Sequence, residues 1–333
     1  MEVSYQYTVC TQCFTFNQEN YILDALNGFV AQNTSFPVVY VIVDDASTDN
    51  EPQILRSYYE RHFNLLDSSV AYQEETEYYT ILYGQHLTNR LCYFAILLLK
   101  ENHYSQKKDK TPYLSRWRKH SKYIALCEGD DYWTDPLKLQ KQVDYMDSYP
   151  DCKLCVHRAE WEVDGVLKPM GCQCKESFDL SMEESIRNGG LYIATASFLY
   201  RKEIDQEWPK WRVIAHIGDF PLQLLCGLKG RVHVLADMMC VYRFRCKGSW
   251  SDIHRIPTVG YSKNEVQWME EFDRSTSFEY SAVIYGFLYR YYKILFMNRE
   301  ISLAEYWMNA SKSRSIGWKR IVKDYIKRQF HIV

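Results

Sequence analysis

The sequence KYIALCEGDDYWTDP, residues 122–136, joins a short apolar run to a cluster of carboxylates. Residues 123–127 have the length and composition of a fully buried strand, and Glu128, Asp130 and Asp131 follow it around one glycine. In an open α/β sheet, ligands bind at the carboxyl ends of the strands. Adjacent carboxylates repel each other unless a cation neutralises them, and Mg²⁺ or Mn²⁺ prefers oxygen ligands of this kind. The stretch therefore predicts a metal-dependent site at a strand end.

The same stretch allows a simpler interpretation. Asp135 is followed by Pro136, a pair that typically stands at the N-cap and the first position of a helix. An acidic turn that only caps the next helix would be solvated and would bind no ligand.

Upstream, the chain repeats the pattern of a buried strand that ends in polar residues. Residues 7–13 are a first apolar run, and residues 38–43 are a second run that leads into the acidic segment 44–49. The helix predicted between the two runs carries one apolar stripe: Ile22, Leu26, Phe29 and Val30. Parallel strands joined in this way form a right-handed βαβ unit, which brings both polar loops to one sheet edge. We therefore predict an α/β fold with a mixed, mainly parallel sheet flanked by helices.

The later patterns are weaker. Residues 78–83 predict a strand, residues 88–99 a helix, and residues 101–120 a basic surface loop. Asp219 opens a further helix, so its carboxylate is either an N-cap or a second acid of the site. The remaining patterns predict, in chain order, strands at 152–159, at 191–200 and as two runs within 231–244, and then helices from about residue 262.

The composition and the apolar runs indicate which ligands and which cellular location to expect. The 333 residues carry a formal net charge of -2, with 47% hydrophobic and 25% charged residues, which gives no general case for nucleic-acid binding. No signal-peptide pattern opens the sequence. The longest apolar run, residues 91–99, is too short to span a bilayer. We therefore expect a cytoplasmic protein.

The eleven cysteines predict reduced thiols rather than a disulfide framework. Four of them form a CxxC followed by a CxC: Cys152, Cys155, Cys172 and Cys174. Four thiolates could close a structural zinc site. Alternatively, a strand over residues 152–157 would turn adjacent side chains to opposite faces and leave ordinary buried cysteines.

The last predicted helix, from about Ile316, is basic and amphipathic. A single acid, Asp324, stands among seven cations: Lys312, Arg314, Lys319, Arg320, Lys323, Lys327 and Arg328. A helix of this kind can lie on an anionic membrane surface. It can equally pack on the body of the protein, because amphipathicity is usual for surface helices.

Three motifs, in this order, resemble those of glycosyltransferase family 2: FTFNQENYI at residues 14–22, VDDASTD at 43–49 and EGDDYW at 128–133. The likeness covers roughly the first 250 residues and implies the GT-A fold, a nucleotide-sugar donor and inversion at the anomeric carbon. It also implies a catalytic domain at 1–255, with a nucleotide-sugar half at about 1–135 and an acceptor half at about 136–255. A helical C-terminal region would occupy 256–333.

The resemblance implies a donor-binding loop after the first strand. Phe14, Thr15 and Phe16 would line the nucleotide base, with Phe16 as the stacking aromatic, and Asn17 would belong to the same loop. Asp45 matches the acid that reads the edge of a uracil. The family's usual proline before Thr15 is replaced here by Phe14.

The resemblance also assigns the diphosphate and acceptor sides. Asp130 and Asp131 match the DxD-type metal and diphosphate site, in which Glu128 replaces the first Asp. Asp219 matches the general base on the acceptor side. The segment that closes over the diphosphate would include Arg243 and Trp250. A histidine that is common near this point is replaced by Arg245, Cys246 and Lys247.

Together these features predict a metal-dependent inverting glycosyltransferase of the hexosyltransferase type, which uses Mn²⁺ or Mg²⁺ and favours a UDP-sugar. The predicted acceptor is a glycan, lipid-linked or free, in cell-surface polysaccharide synthesis. The protein would work in the cytoplasm or as a peripheral protein on the inner face of the plasma membrane, with contact through the basic helix and without nucleic acid.

Two alternatives come from other classes. A nucleotidyltransferase or another nucleotide-sugar enzyme usually has a glycine-rich, basic phosphate loop after the first strand, which residues 14–20 lack. A catalytically silent, carbohydrate-binding relative would have lost Asp130 or Asp219, and both are present.

Overall fold

A twelve-stranded mixed sheet organises the computed structural model, which describes residues 5–246, 249–253, 256–313 and 315–330. The strands are β1 Tyr7–Thr15, β2 Val38–Asp44, β3 Ala71–Glu75, β4 Tyr79–Gln85, β5 Cys92–Leu99, β6 Ser121–Leu126, β7 Tyr132–Trp133, β8 Cys152–Val163, β9 Val166–Met170, β10 Phe178–Asp179, β11 Leu199–Arg201 and β12 Arg231–Arg243. The helices are α1 Ile22–Val30, α2 Glu51–His62, α3 Thr111–Arg118, α4 Lys138–Ser148, α5 Met182–Asn188, α6 Lys210–Ile214, α7 Asp219–Lys229, α8 Trp250–Ile253, α9 Val259–Ser275, α10 Ser281–Met297, α11 Leu303–Ser311 and α12 Trp318–Phe330.

The sheet has a parallel centre, and its margins combine antiparallel pairs with the parallel pair of β8 and β12. Its order is β10-β12-β8-β11-β6-β1-β2-β5-β4-β3, with β7 paired to β12 and β9 paired to β8. The central strands β6, β1, β2 and β5 run parallel, and the short β11 lies antiparallel between β6 and β8. The predicted α/β fold with a mainly parallel sheet is confirmed. Because β1, β2 and β6 run parallel, their loops leave at the same edge.

Helix α1 packs tightly beside the acidic turn. Phe29 stacks on Tyr40 at 4.8 Å between ring centroids and meets Trp133 edge-on at 5.0 Å. A Cβ atom at Gly28 would lie 2.9 Å from the backbone oxygen of Trp133, so only glycine allows the helix to approach this closely. The contact fixes the chain that leaves the acidic turn against the core.

The structure corrects several element predictions. The helix predicted at 88–99 is wrong, because residues 92–99 form β5 in the middle of the sheet. A strand buried on both faces is continuously apolar, and periodicity alone cannot distinguish it from a buried helix. The predicted loop at 101–120 contains α3, and the two runs within 231–244 are one strand, β12, with register shifts near residues 235–240. Of residues 191–200, only 199–200 belong to a strand, β11, which continues to residue 201.

Contacts divide the chain into two compact units. The first, "unit 1", comprises Met1–Asp179, Ile193–Gln206 and Gly230–Ile253, and it contains the sheet. The second, "unit 2", comprises Leu180–Tyr192, Glu207–Lys229 and His254–Val333, and it is helical, with α10 packed against α5, α9 and α11. The predicted catalytic domain at 1–255 and helical region at 256–333 were divided by function, and this division stays a prediction. In the described residues, the helices are all too short or too polar to cross a bilayer.

Candidate active site

The acidic turn after β6 places two adjacent carboxylates at the sheet edge. Asp131 is 1% exposed, and its Oδ1 accepts the backbone N–H of Arg243 at 2.9 Å. Asp130 is half-buried, and its Oδ2 accepts the thiol of Cys246 at 3.2 Å. Burial raises the pKa of both carboxyl groups, and the charge of Asp130 raises that of Asp131 further. The pair is therefore costly to ionise without a nearby cation.

Arg243, at the end of β12, fixes the shape of this turn. Its Nη1 donates to the backbone oxygen of Asp130 at 2.9 Å, and its guanidinium lies 4.5 Å from the ring centroid of Tyr132. The same guanidinium pairs with Asp24 and, at 3.3 Å, with Glu162. Its charge is thus shared with two further acids, which leaves Asp130 and Asp131 only partly compensated.

The donor loop predicted after β1 is tied to the loop after β2. Asn17 has a φ of 56°, its backbone N–H donates to Ser47 Oγ at 2.8 Å, and its Oδ1 accepts the N–H of Thr48 at 2.8 Å. Thr15 is buried, whereas the ring of Phe16 is 41% exposed. Phe14 and Phe16 are the two aromatic residues predicted to line the base. Phe14 is half-buried and Phe16 is exposed, so Phe16 is the one available for stacking. Asn17 joins the two loops.

Asp45 is held by a segment for which the sequence predicted no role. Its carboxylate is 1% exposed and accepts the backbone N–H groups of His103 at 2.8 Å and Tyr104 at 3.0 Å. Lys110 Nζ lies 2.9 Å from Oδ2 and 4.7 Å from the ring centroid of Phe14. Lys110 therefore joins Phe14 and Asp45 at the predicted base site. The only signal for it in the sequence was the basic character of residues 101–120.

Two further buried acids lie beneath these loops. Glu51 is 0% exposed and accepts the hydroxyl of Thr15, the backbone N–H of Gln18 at 2.8 Å and the hydroxyl of Ser47 at 3.0 Å. Burial raises its pKa to about 7. Asp44 is 1% exposed, burial raises its pKa to about 6, and its Oδ1 has no hydrogen-bond partner within the described part of the chain. In sequence, Glu51 follows Asp49 in an ordinary helix start and gives no sign of this role.

Comparison with known proteins indicates the family that the chain resembles. Residues 14–75 match the family model "Glycosyl transferase family 2". The uncharacterized protein Rv1520 of Mycobacterium tuberculosis is 33% identical over 238 residues, which are 71% of this chain and 58% of that protein. The family-model match supports assignment of the chain to glycosyltransferase family 2. The chain spans somewhat more than half the length of this curated relative.

The chain shares its fold with solved structures. The crystal structure of S. aureus TarS 1-349 in complex with UDP-GlcNAc is 16% identical, with a TM-score of 0.58 over 94% of this chain and 82% of that chain. The structure of TarS 1-349 with UDP is 15% identical, with a TM-score of 0.55 over 96% and 80% of the two chains. The GT-A fold implied by the sequence motifs is confirmed.

The predicted general base, Asp219, lies in unit 2. Asp219 is the first residue of α7, and its Oδ1 accepts the backbone N–H of Phe220 at 2.7 Å. This contact fits the simpler interpretation as a helix-capping acid, and the catalytic role stays a prediction. Trp250 begins α8, but its side chain and residues 247–248 lie outside the described part of the structure.

The described residues hold no group of three or more His, Cys, Asp or Glu side chains that could bind a metal. Cys152, Cys155 and Cys172 are buried thiols, and Cys152 donates to the backbone oxygen of Leu154. The zinc alternative for the cysteines therefore finds no support. At the acidic turn, two carboxylates fit a divalent cation that takes its other ligands from phosphates and water.

Proposed function

We propose that this protein transfers a sugar from a nucleotide-diphosphate donor, with a UDP-sugar favoured, to a hydroxyl of a glycan acceptor with inversion. The observation that carries the proposal is the partly compensated pair of half-buried Asp130 and buried Asp131 at the edge where the loops of β1 and β2 also end. Carboxyl groups with shifted pKa values that lie together at strand ends typically mark functional sites. A catalytic domain over residues 1–255 is part of this proposal.

The base of the donor is assigned to the loops around Asp45. Phe16 offers an exposed ring for stacking, and Asp45 lies with Lys110 at the predicted base-reading position. A uracil N–H would bind the Asp45 carboxylate in place of one of the donors that this carboxylate now accepts, His103, Tyr104 or Lys110. The TarS structure contains UDP-GlcNAc, which also favours UDP here. Tighter binding of GDP or dTDP than of UDP would contradict the assignment.

The diphosphate is assigned to the acidic turn. Asp130 and Asp131 would hold Mn²⁺ or Mg²⁺, which when bound neutralises charge on the departing diphosphate. Arg243 keeps the turn in place through the backbone oxygen of Asp130. Cys246 donates its thiol to Asp130, and burial raises the pKa of this thiol to about 12, so it stays protonated at neutral pH.

The acceptor hydroxyl is assigned to Asp219. Inversion needs one base on the face opposite to the leaving group, and a half-buried carboxylate at the start of α7 can accept that proton. General-base catalysis contributes about 10²- to 10⁴-fold.

Donor hydrolysis provides the test. The protein is incubated with a panel of UDP-, GDP- and dTDP-sugars, with Mn²⁺ or with EDTA, and release of the nucleoside diphosphate is followed. We expect slow, metal-dependent release of UDP from one UDP-sugar. Absence of turnover and of nucleotide binding throughout the panel would contradict the proposed function.

We further propose that α12 holds the protein on an anionic membrane surface, where a lipid-linked acceptor would be presented on the inner face. Asp324, the acid of this helix, is 2% exposed and engaged by Lys293, Tyr289 and Tyr306. The outward side therefore carries cations, with Lys319, Arg320 and Lys323 exposed. Next to them an apolar stripe is exposed: Trp318, Val322, Tyr325 and Ile326. Exposed apolar residues beside cations are typical of interfacial helices.

Vesicle flotation tests this contact. The full chain should float with phosphatidylserine-containing vesicles at low salt, remain behind with neutral vesicles, and be released at high salt. Trp318→Ser with Ile326→Ser should abolish flotation while nucleotide binding is retained. If the wild-type chain and this double variant float equally poorly, the helix is better explained as a packing or dimer surface.

A further inference from the structure

Two loops of the proposed donor site meet at one buried carboxylate, that of Glu51. Thr15 ends β1, Gln18 belongs to the loop that follows it, and Ser47 belongs to the loop after β2; all three donate hydrogen bonds to Glu51. Because the Glu51 side chain is fully buried, these bonds do not compete with water. The carboxylate therefore connects two loops that adjoin the predicted base site.

The third loop is connected through Thr15. Gly129, in the acidic turn, donates its backbone N–H to the backbone oxygen of Phe14 at 3.0 Å. A Cβ atom at position 129 would overlap Thr15 Oγ1, so the turn rests directly on the side chain that Glu51 holds. A shift of Thr15 must therefore move the turn that carries Asp130.

A role in the helix alone does not explain this residue. Glu51 is the first residue of α2, where an acid usually interacts with the amide groups of its own first turn. Its two oxygens instead accept from the neighbouring loops. Burying a carboxylate opposes folding unless its hydrogen bonds compensate, and here all the compensation comes from these loops.

We infer that Glu51 is a positioning residue for the nucleotide donor, since it sets the relative placement of the base loop, the β2 loop and the acidic turn. The inference rests on the proposed donor site for its functional part. Its structural part, the linkage of three loops, does not depend on any ligand.

The test compares Glu51→Gln with Asp273→Asn. Both replace a buried carboxylate by its amide; Asp273, in unit 2, accepts the hydroxyl of Ser281 at 2.8 Å. In Glu51→Gln, the amide NH₂ presents hydrogen where a loop donor now points, which leaves a buried donor unsatisfied. Amide hydrogen exchange should become about tenfold faster at residues 15–18, 46–48 and 128–131 together. The dissociation constant of UDP with Mn²⁺ should rise about tenfold. Asp273→Asn should change neither quantity.

The outcomes separate the two proposals. If wild-type protein binds no UDP, the proposed donor fails, and hydrogen exchange still decides the linkage. If Glu51→Gln is folded and exchange at 128–131 and UDP affinity are unchanged, the inference is overturned. Should Glu51→Gln not fold, Ser47→Ala removes one of the three bonds and should produce a smaller change of the same pattern. An unchanged Ser47→Ala would then overturn the inference.

Discussion

The buried carboxylates Asp44 and Glu51 in unit 1 and Asp324 in unit 2 have pKa values shifted in opposite directions. At the strand ends of unit 1, burial raises the pKa of Asp44 to about 6 and that of Glu51 to about 7. In unit 2, burial alone would raise the pKa of Asp324, but the ion pair with Lys293 and the hydroxyls of Tyr289 and Tyr306 lower it. A buried acid with a cation of its own stabilises the fold. Asp44 and Glu51, which have no such cation among the described residues, lie beside the loops where a ligand is proposed to bind.

The largest effect is expected from substitution of Asp219, because this residue is proposed as the general base. The substitution tests whether unit 2 contributes to catalysis as well as to structure. Asp219→Asn should lower the rate of sugar transfer or donor turnover by about 10²- to 10⁴-fold. UDP affinity, measured by calorimetry with Mn²⁺, should stay within about twofold, since the donor loops lie in unit 1. A variant with nearly wild-type turnover would reduce Asp219 to a helix cap.

Substitutions of Asp130 and of Asp324 should affect different properties: metal-dependent UDP binding for Asp130 and thermal stability for Asp324. Asp130→Ala should remove the Mn²⁺ dependence of UDP binding, and affinity in the presence of Mn²⁺ should fall by about tenfold or more. Asp324→Asn should lower the melting temperature and leave this metal dependence intact. Equal UDP affinity with and without Mn²⁺ in the wild-type protein would remove the basis of the comparison.

The two kinds of acid also predict opposite pH dependences. The folded-state pKa of Asp44 is raised from 3.8 to about 6, so its contribution to stability is present below pH 4 and is lost as pH rises through 6. Relative to wild type, Asp44→Asn should therefore gain up to about 3 kcal/mol between pH 4 and pH 8. The pKa of Asp324 is lowered, so its contribution is present above pH 4 and lost at lower pH.

Urea unfolding of the wild-type protein, Asp44→Asn and Asp324→Asn at pH 4, 6 and 8 measures these two pH dependences of stability. Asp324→Asn should lose stability relative to wild type more at pH 8 than at pH 4. Parallel stability profiles for the two variants would show that the electrostatic contrast is absent.

The smallest effect is expected at the surface of unit 2. Each cation near an anionic membrane contributes about 1 kcal/mol. Lys323→Ala should therefore weaken binding to phosphatidylserine vesicles by about fivefold. Lys210→Ala removes the same charge from another helix of unit 2 and should change binding by less than twofold. Equal losses would indicate attraction by overall charge rather than by α12.

The sequence predicted the parts of this fold that local pattern determines. Strands β1, β2 and β6 are apolar runs that end in polar loops, so the parallel centre and the acidic turn were predicted correctly. Strand β5 was taken for a helix, because its burial on both faces comes from partners elsewhere in the chain. Lys110 and Glu51 were missed for the same reason. Their partners lie 65 and 36 residues away, respectively, in Asp45 and Thr15. The roles of Asp219, Arg243 and Trp250 stay predictions.

The division into units also constrains how the protein is made. Each unit consists of three chain segments that alternate, so the chain passes between the units five times. Unit 1 is complete once residue 253 has left the ribosome, whereas Phe220 of unit 2 still lacks Trp268 and Phe287, its later ring contacts. Domains generally fold in the order of synthesis. At that point the nascent chain holds all the strands of the sheet, whereas helices of unit 2 still lack apolar partners. The interval in which residues 254–333 are synthesised is therefore the one in which a chaperone has most exposed apolar surface to cover.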